Sequence, residues 1–148
     1  MSEVTMDGGE AGGQRVIEKT LDFDAPIERV WSAITVADEL SQWFGREARF
    51  EPVVGYEGAM IWPEHGSFAL RVEEAEPPTR LVWSWIHKPD VAFDDAPSTR
   101  VEWSLSTRDG GGTRLYLRET GFLTDEHFGQ NQGGWDEELG ELVELLAG

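Results

Sequence analysis

Glu119 and His87 are the residues of this chain whose type and position could carry chemistry. Glu119 follows Leu115 and Leu117 in steps of two, and His87 follows Leu81, Trp83 and Trp85 in the same way. In an extended strand, residues two apart share one face, so both would look into an apolar interior. A carboxyl group enclosed by aromatic walls can serve as an acid or a base, and a nearby imidazole would complete an acid–base pair. Both residues also stand near strand ends, where solvent or an arginine usually satisfies such groups. A structural role is therefore the expectation, and catalysis the alternative. Glu74 follows Phe68, Leu70 and Val72 by the same count, although a bulge before Pro77 would turn it outward.

Other chemistries find no support. The chain has no cysteine, which removes thiolate catalysis, disulfides and Cys-ligated metals. His65, His87 and His127 show no ligand-like spacing, and Asp90, Asp94 and Asp95 lack the regular pattern of a calcium loop. Gly110-Gly111-Gly112 is not followed by Lys-Ser/Thr, so it is no phosphate loop, and no Gly-x-Ser-x-Gly elbow occurs. Neither a metal nor a cofactor is expected. With 29 acids against 12 bases the formal net charge is −17, which argues against nucleic acid or anionic membranes as partners. No apolar run has membrane-spanning length and no secretory leader is visible, so a cytoplasmic protein is expected.

The elements that must position these residues can be read from periodicity. Residues 1–14 are Gly-rich and aperiodic and read as a disordered leader; residues 15–148 read as a single domain. Arg15–Asp24 alternates as a strand. Ala25-Pro26 opens a short helix carrying Ile27, Val30, Trp31 and Ile34, and Asp38–Phe44 forms another that ends at Gly45. Period two then predicts strands over Ala48–Pro52, Gly58–Trp62, Ser67–Ala75, Arg80–His87, Thr99–Thr107 and Thr113–Thr120, with Asp109-Gly110-Gly111-Gly112 as a hairpin turn. Thr124–Gly148 reads as a helix with an apolar stripe of Trp135, Leu139, Leu142, Val143 and Leu146. Asp136, Glu137, Glu138, Glu141 and Glu144 form its polar face. Strands linked by hairpins and helices set apart from them mean an α+β fold: a curved antiparallel sheet of about six to seven strands wrapped around the C-terminal helix.

Several strings resemble the START-like, or helix-grip, superfamily, and within it the group named after the activator of the Hsp90 chaperone ATPase. They are Ala25-Pro26-Ile27-Glu28-Arg29-Val30-Trp31, Leu40-Ser41-Gln42-Trp43-Phe44, Glu76-Pro77-Pro78-Thr79-Arg80-Leu81-Val82-Trp83-Ser84-Trp85, Gly112-Thr113-Arg114-Leu115, Thr120-Gly121-Phe122 and Gly134-Trp135. One departure concerns the adjacent glycine pair that the family often has between its second and third strands; here Gly55 and Gly58 stand apart.

The resemblance implies a cavity between the sheet and the last helix. Alternation turns Phe68, Leu70, Val72, Trp83, Trp85, Val101, Trp103, Leu117 and Glu119 toward it, with Trp135 and Leu139 on the helix and Trp43 and Phe44 near its opening. Binding of a small hydrophobic or aromatic molecule by a monomer or homodimer is the expected function. A chaperone-associated interaction module with a stress-response role is the alternative that the group name implies. A cyclase, dehydratase or hydrolase using Glu119 and His87 shares the same pocket.

Overall fold

A computed structural model describes residues 15–45 and 47–147; the leader expected over residues 1–14 lies outside the described residues. The first strand, β1 (Ile17–Phe23), buries both of its end residues and alternates between them. Pro26 precedes α1 (Ile27–Thr35), where its fixed φ of −68° suits the entry to a helix and its missing N–H costs nothing. Val36, extended at φ −88°, separates α1 from α2 (Ala37–Trp43). There follow β2 (Glu47–Arg49), β3 (Glu57–Trp62), β4 (Gly66–Glu76), β5 (Arg80–Ile86), β6 (Ser98–Thr107), β7 (Thr113–Thr120) and the helix α3 (Asp125–Ala147).

The seven strands form one antiparallel sheet in the order β1-β7-β6-β5-β4-β3-β2. Each strand from β2 to β7 pairs with its neighbour in sequence, and β1 closes the order by pairing with β7, Leu21 opposite Leu115. The β6–β7 hairpin turns through Gly110 and Gly111 at φ +91° and +95°, a region that side chains with a Cβ rarely enter. The separated glycines also have an explanation. A Cβ on Gly58 would lie 1.9 Å from the Arg49 carbonyl oxygen, so β2 crosses β3 too closely for any side chain there.

Helix α3 starts where Thr124 Oγ1 accepts the His127 backbone N–H at 3.1 Å, followed by Asp125 and Glu126 in the first turn. This is an N-cap with acids at the positive end of the helix dipole. Its inner stripe is Trp135, Leu139 and Leu142; Val143, expected on that stripe, is 42% exposed. The core between helix and sheet contains Trp43, Trp83 and Trp103, each at most 1% exposed, with Leu70, Val72, Val101 and Leu117. The α+β helix-grip architecture expected from the sequence is what the chain adopts.

A register shift between Val72 and Glu74 decides the side of Glu74. Beyond this bulge Glu74 pairs with Arg80 at 3.1 Å and Arg100 at 3.0 Å, in an ion-pair cluster that includes Glu102 and Arg118. The bulge has taken it off the inward face.

Candidate functional site

Glu119 is a fully buried carboxylate within the aromatic interior. One oxygen accepts the Trp135 indole N–H at 2.7 Å, and the other accepts Trp85 Nε1–H at 2.8 Å and Thr99 Oγ1–H at 2.6 Å. The Asn131 amide reaches both oxygens at 3.1 and 3.2 Å. Indole N–H groups can only donate, so this carboxylate ties β5, β6, β7 and α3 together through donors that suit an acceptor. His87, just past the end of β5, donates its Nε2–H to Gln130 Oε1 at 2.8 Å and stacks on His127 with ring centroids 3.8 Å apart. Glu119 and His87 therefore have separate sets of partners and make no hydrogen bond to each other.

The tryptophans sort by depth. Trp43 donates to the Ala33 carbonyl at 2.8 Å, whereas Trp83 and Trp103 bury their N–H groups with no hydrogen-bond partner. These three fill the interior with Leu70, Val72, Val101, Leu117 and Leu139 and do not face open space. Phe44, Phe68, Trp85 and Trp135 do, on a cleft of about 580 Å³ between α3 and the ends of β3, β4 and β5. Trp62, at the end of β3, completes this wall. Phe44 lies 5.1 Å from the Trp62 ring centre, edge to face, and stacks on Trp135 at 5.2 Å, while Trp85 lies 5.9 Å from Trp135. Such offset and T-shaped pairs are the favoured aromatic arrangements.

Apart from His87, the polar lining is the part that sequence reasoning missed. All three histidines of the chain reach this one cleft, as do Gln130, Asn131, Glu137 and Glu138. Their separation in sequence hides this, because His65 sits in the β3–β4 turn, His87 after β5 and His127 on α3. The helical spacing of His127, Asn131, Gly134 and Glu138 was the available signal, since residues three and four apart share a face. Glu138, assigned to the solvated face of α3, instead turns into the cleft, where its carboxylate accepts the Trp62 indole N–H at 3.4 Å.

Two groups here are displaced from their ordinary titration. Burial holds His127 down to about 4, with the neighbouring His87 charge adding to the effect. Burial pushes Glu138 up to about 7, helped by the negative charges of Glu141 and Glu137 and opposed by hydrogen bonds from Trp62 and the Gly45 backbone. Among the described residues no group of three or more His, Asp or Glu side chains is placed to hold a metal ion. None of the described helices is long and apolar enough to cross a membrane.

The family model for Activator of Hsp90 ATPase homolog 1-like proteins matches residues 24–147. No curated protein matches the chain at a significant level. Among solved structures, protein MLL2253 of Mesorhizobium loti superposes with a TM-score of 0.78 at 24% identity, covering 89% of this chain and 96% of that one. CalU16 of Micromonospora echinospora reaches a TM-score of 0.72 at 27% identity, over 88% of this chain and 75% of that one. The Aha1 dimer of Colwellia psychrerythraea reaches 0.72 at 19% identity, covering 88% and 95%.

Proposed function

The chain belongs to the family of Activator of Hsp90 ATPase homolog 1-like proteins, and from that premise we propose that it binds a small apolar or aromatic molecule in the cleft between α3 and the strand ends. The observation that carries this reading is the cleft itself: about 580 Å³, walled by Phe44, Trp62, Phe68, Trp85 and Trp135. Ligand sites typically enclose roughly 300–1,000 Å³ and combine apolar walls with a few placed polar groups. The deeper tryptophans act as scaffold for that wall. The protein would work in the cytoplasm as a carrier or sensor, alone or as a homodimer.

Tryptophan fluorescence titrated with a panel of lipids and aromatic metabolites tests this, because Trp62, Trp85 and Trp135 line the cleft. A binding ligand should quench or shift the emission. At a hundredfold excess over its Kd it should also stabilise the fold by about 2.7 kcal/mol. Gly134→Leu supplies the blocking control. Gly134 lines the cleft, and a Cβ there meets nothing within 4 Å, so the larger side chain projects into open space without disturbing the helix. Absence of any spectral or thermal response across the panel, or a response untouched by Gly134→Leu, would count against the cleft as a binding site.

A chaperone-associated role is the second reading, favoured by the family's own description. Stimulation of an Hsp90-type ATPase by stoichiometric amounts of this chain would support it, and an unchanged rate would set it aside. An acid–base enzyme is a weaker reading, since Glu119 is committed to the donors of Trp85, Thr99, Asn131 and Trp135 and is not on the cleft wall.

A further inference from the structure

The cleft has a polarity that its aromatic wall does not account for. Among the described residues that line it there is no lysine or arginine, yet Glu137 and Glu138 both do so. Among the described residues of the lining, an anionic amphiphile entering here would meet carboxylates and no lysine or arginine. We propose that the cleft takes an organic cation, a quaternary or alkylated ammonium carried on an aromatic or alkyl body, with the ammonium between the Trp62 ring and the Glu138 carboxylate. This rests on the reading of the cleft as a ligand site.

Three observations favour that occupant. Among the described residues Glu138 has one side-chain donor, the Trp62 indole N–H at 3.4 Å, beside a backbone hydrogen bond from Gly45, whereas the four side-chain donors around Glu119 approach to between 2.6 and 3.2 Å. A half-buried carboxylate with a weak partner is one to which a ligand cation adds what is lacking. Aromatic faces surround the same place, Trp62 packing on Phe44 at 5.1 Å, Phe68 at 5.7 Å and Trp85 at 6.3 Å. Ring faces attract an alkylated ammonium through their quadrupoles, most strongly when the site is desolvated. Finally, the histidine on the same helix does not supply the charge. His127 stands eleven residues before Glu138 on α3, about 16 Å along the axis, and burial keeps it neutral at pH 7. The ionisable groups sharing the cleft are Glu137, Glu138, His65, His87 and His127, with Glu141 one turn beyond. The net charge of −17 draws cations toward the whole molecule.

A matched series separates charge from shape: 3-phenylpropyl-trimethylammonium, 4-phenylbutanol and 4-phenylbutyrate, titrated into the full chain by calorimetry and tryptophan fluorescence. The cation should bind about tenfold tighter than the alcohol, and the carboxylate weakest. In Glu138→Gln that preference should fall to threefold or less, with the alcohol's affinity unchanged. A second readout needs no variant. Cation binding at pH 7 should release protons from Glu138, seen as heats that differ between buffers of unlike ionisation enthalpy. Alcohol or carboxylate binding as tightly as the cation, or cation binding with no proton release, overturns the inference while leaving the cleft a ligand site. Failure of all three compounds to bind overturns the reading of the cleft as well.

Discussion

Glu119 and Glu138 show how far two carboxylates of one small fold can differ in their surroundings. Glu119 is encircled by donors, so its removal leaves the Trp85 and Trp135 indole N–H groups, the Thr99 hydroxyl and the Asn131 amide without their acceptor. At about 1–3 kcal/mol for each stranded buried group, Glu119→Leu should destabilise the protein by about 3–5 kcal/mol, measurable by urea unfolding. Glu138 works the other way. Its carboxyl titrates near 7 in the folded protein against 4.5 in the free chain, so between those values the folded state holds a proton that the unfolded chain has lost. Stability then falls as pH rises through that window. His127, lowered from 6.5 to about 4, has the opposite slope, because there the unfolded chain holds the extra proton and stability rises with pH. Melting curves should therefore show that Glu138→Gln raises Tm above pH 7 and gains nothing near pH 4. His127→Gln should remove the rise between about pH 4 and 6.5, so that the fall due to Glu138 shows there uncompensated. Unchanged slopes in both variants would mean that neither group titrates where its burial puts it. The inward aim of Glu119 was legible from its parity with Leu115 and Leu117. That of Glu138 was not, because an acid beside Asp136, Glu137 and Glu141 reads as solvated face until the helix is known to overhang a cleft.

At the level of elements, alternation located every strand, and the departures have local causes. The short β2 stops at Arg49, whose carbonyl oxygen lies close against Gly58, and β5 ends at Ile86, so that His87 lies beyond the ladder. The bulge after Val72 could be suspected from the nearby prolines but not decided, since parity along a strand carries no mark of an inserted residue. Helix α3 is the element whose sequence least resembles its structure. It spans 23 residues yet includes Gly129, Gly133, Gly134 and Gly140, and a Cβ at any of them would meet nothing within 4 Å. Packing does not require these glycines, and each costs about 0.8–1 kcal/mol of helix propensity relative to alanine. Gly133→Ala and Gly140→Ala lie away from the cleft wall and should each stabilise the protein by about 0.5–1 kcal/mol. Denaturant midpoints would measure this, and a loss of stability in either variant would reveal a close contact that the helix does not show.

For the molecule as a whole, the excess of acid is a force acting on the fold. Many of the arginines are engaged: Arg80 and Arg100 bridge Glu74 and Glu102, Arg108 and Arg114 share Asp22, and Arg71 joins Glu57 to Asp94. Such exposed pairs contribute about 0–1 kcal/mol each and weaken as salt is added. Other acids have no such partner among the described residues, and α3 is especially rich in acids. It carries Asp125, Glu126, Asp136, Glu137, Glu138, Glu141 and Glu144 with no lysine or arginine of its own. Arg15 pairs with Asp125 and Lys19 with Asp136, which ties this helix to β1 and its approach but leaves the C-terminal turns uncompensated. Glu141 and Glu144 also face the negative end of the helix dipole, where acids are unfavourable. With 29 acids opposed by 12 bases, repulsion among unpaired carboxylates outweighs the screened ion pairs. Raising sodium chloride from about 10 mM to 500 mM, which shrinks the Debye length from about 30 Å to about 4 Å, should therefore raise Tm. The rise should be smaller in Glu141→Gln/Glu144→Gln, where part of the repulsion has already been removed. A Tm that falls with salt would mean that the ion-pair cluster on β4, β5 and β6 holds the sheet more strongly than the surplus charge strains it.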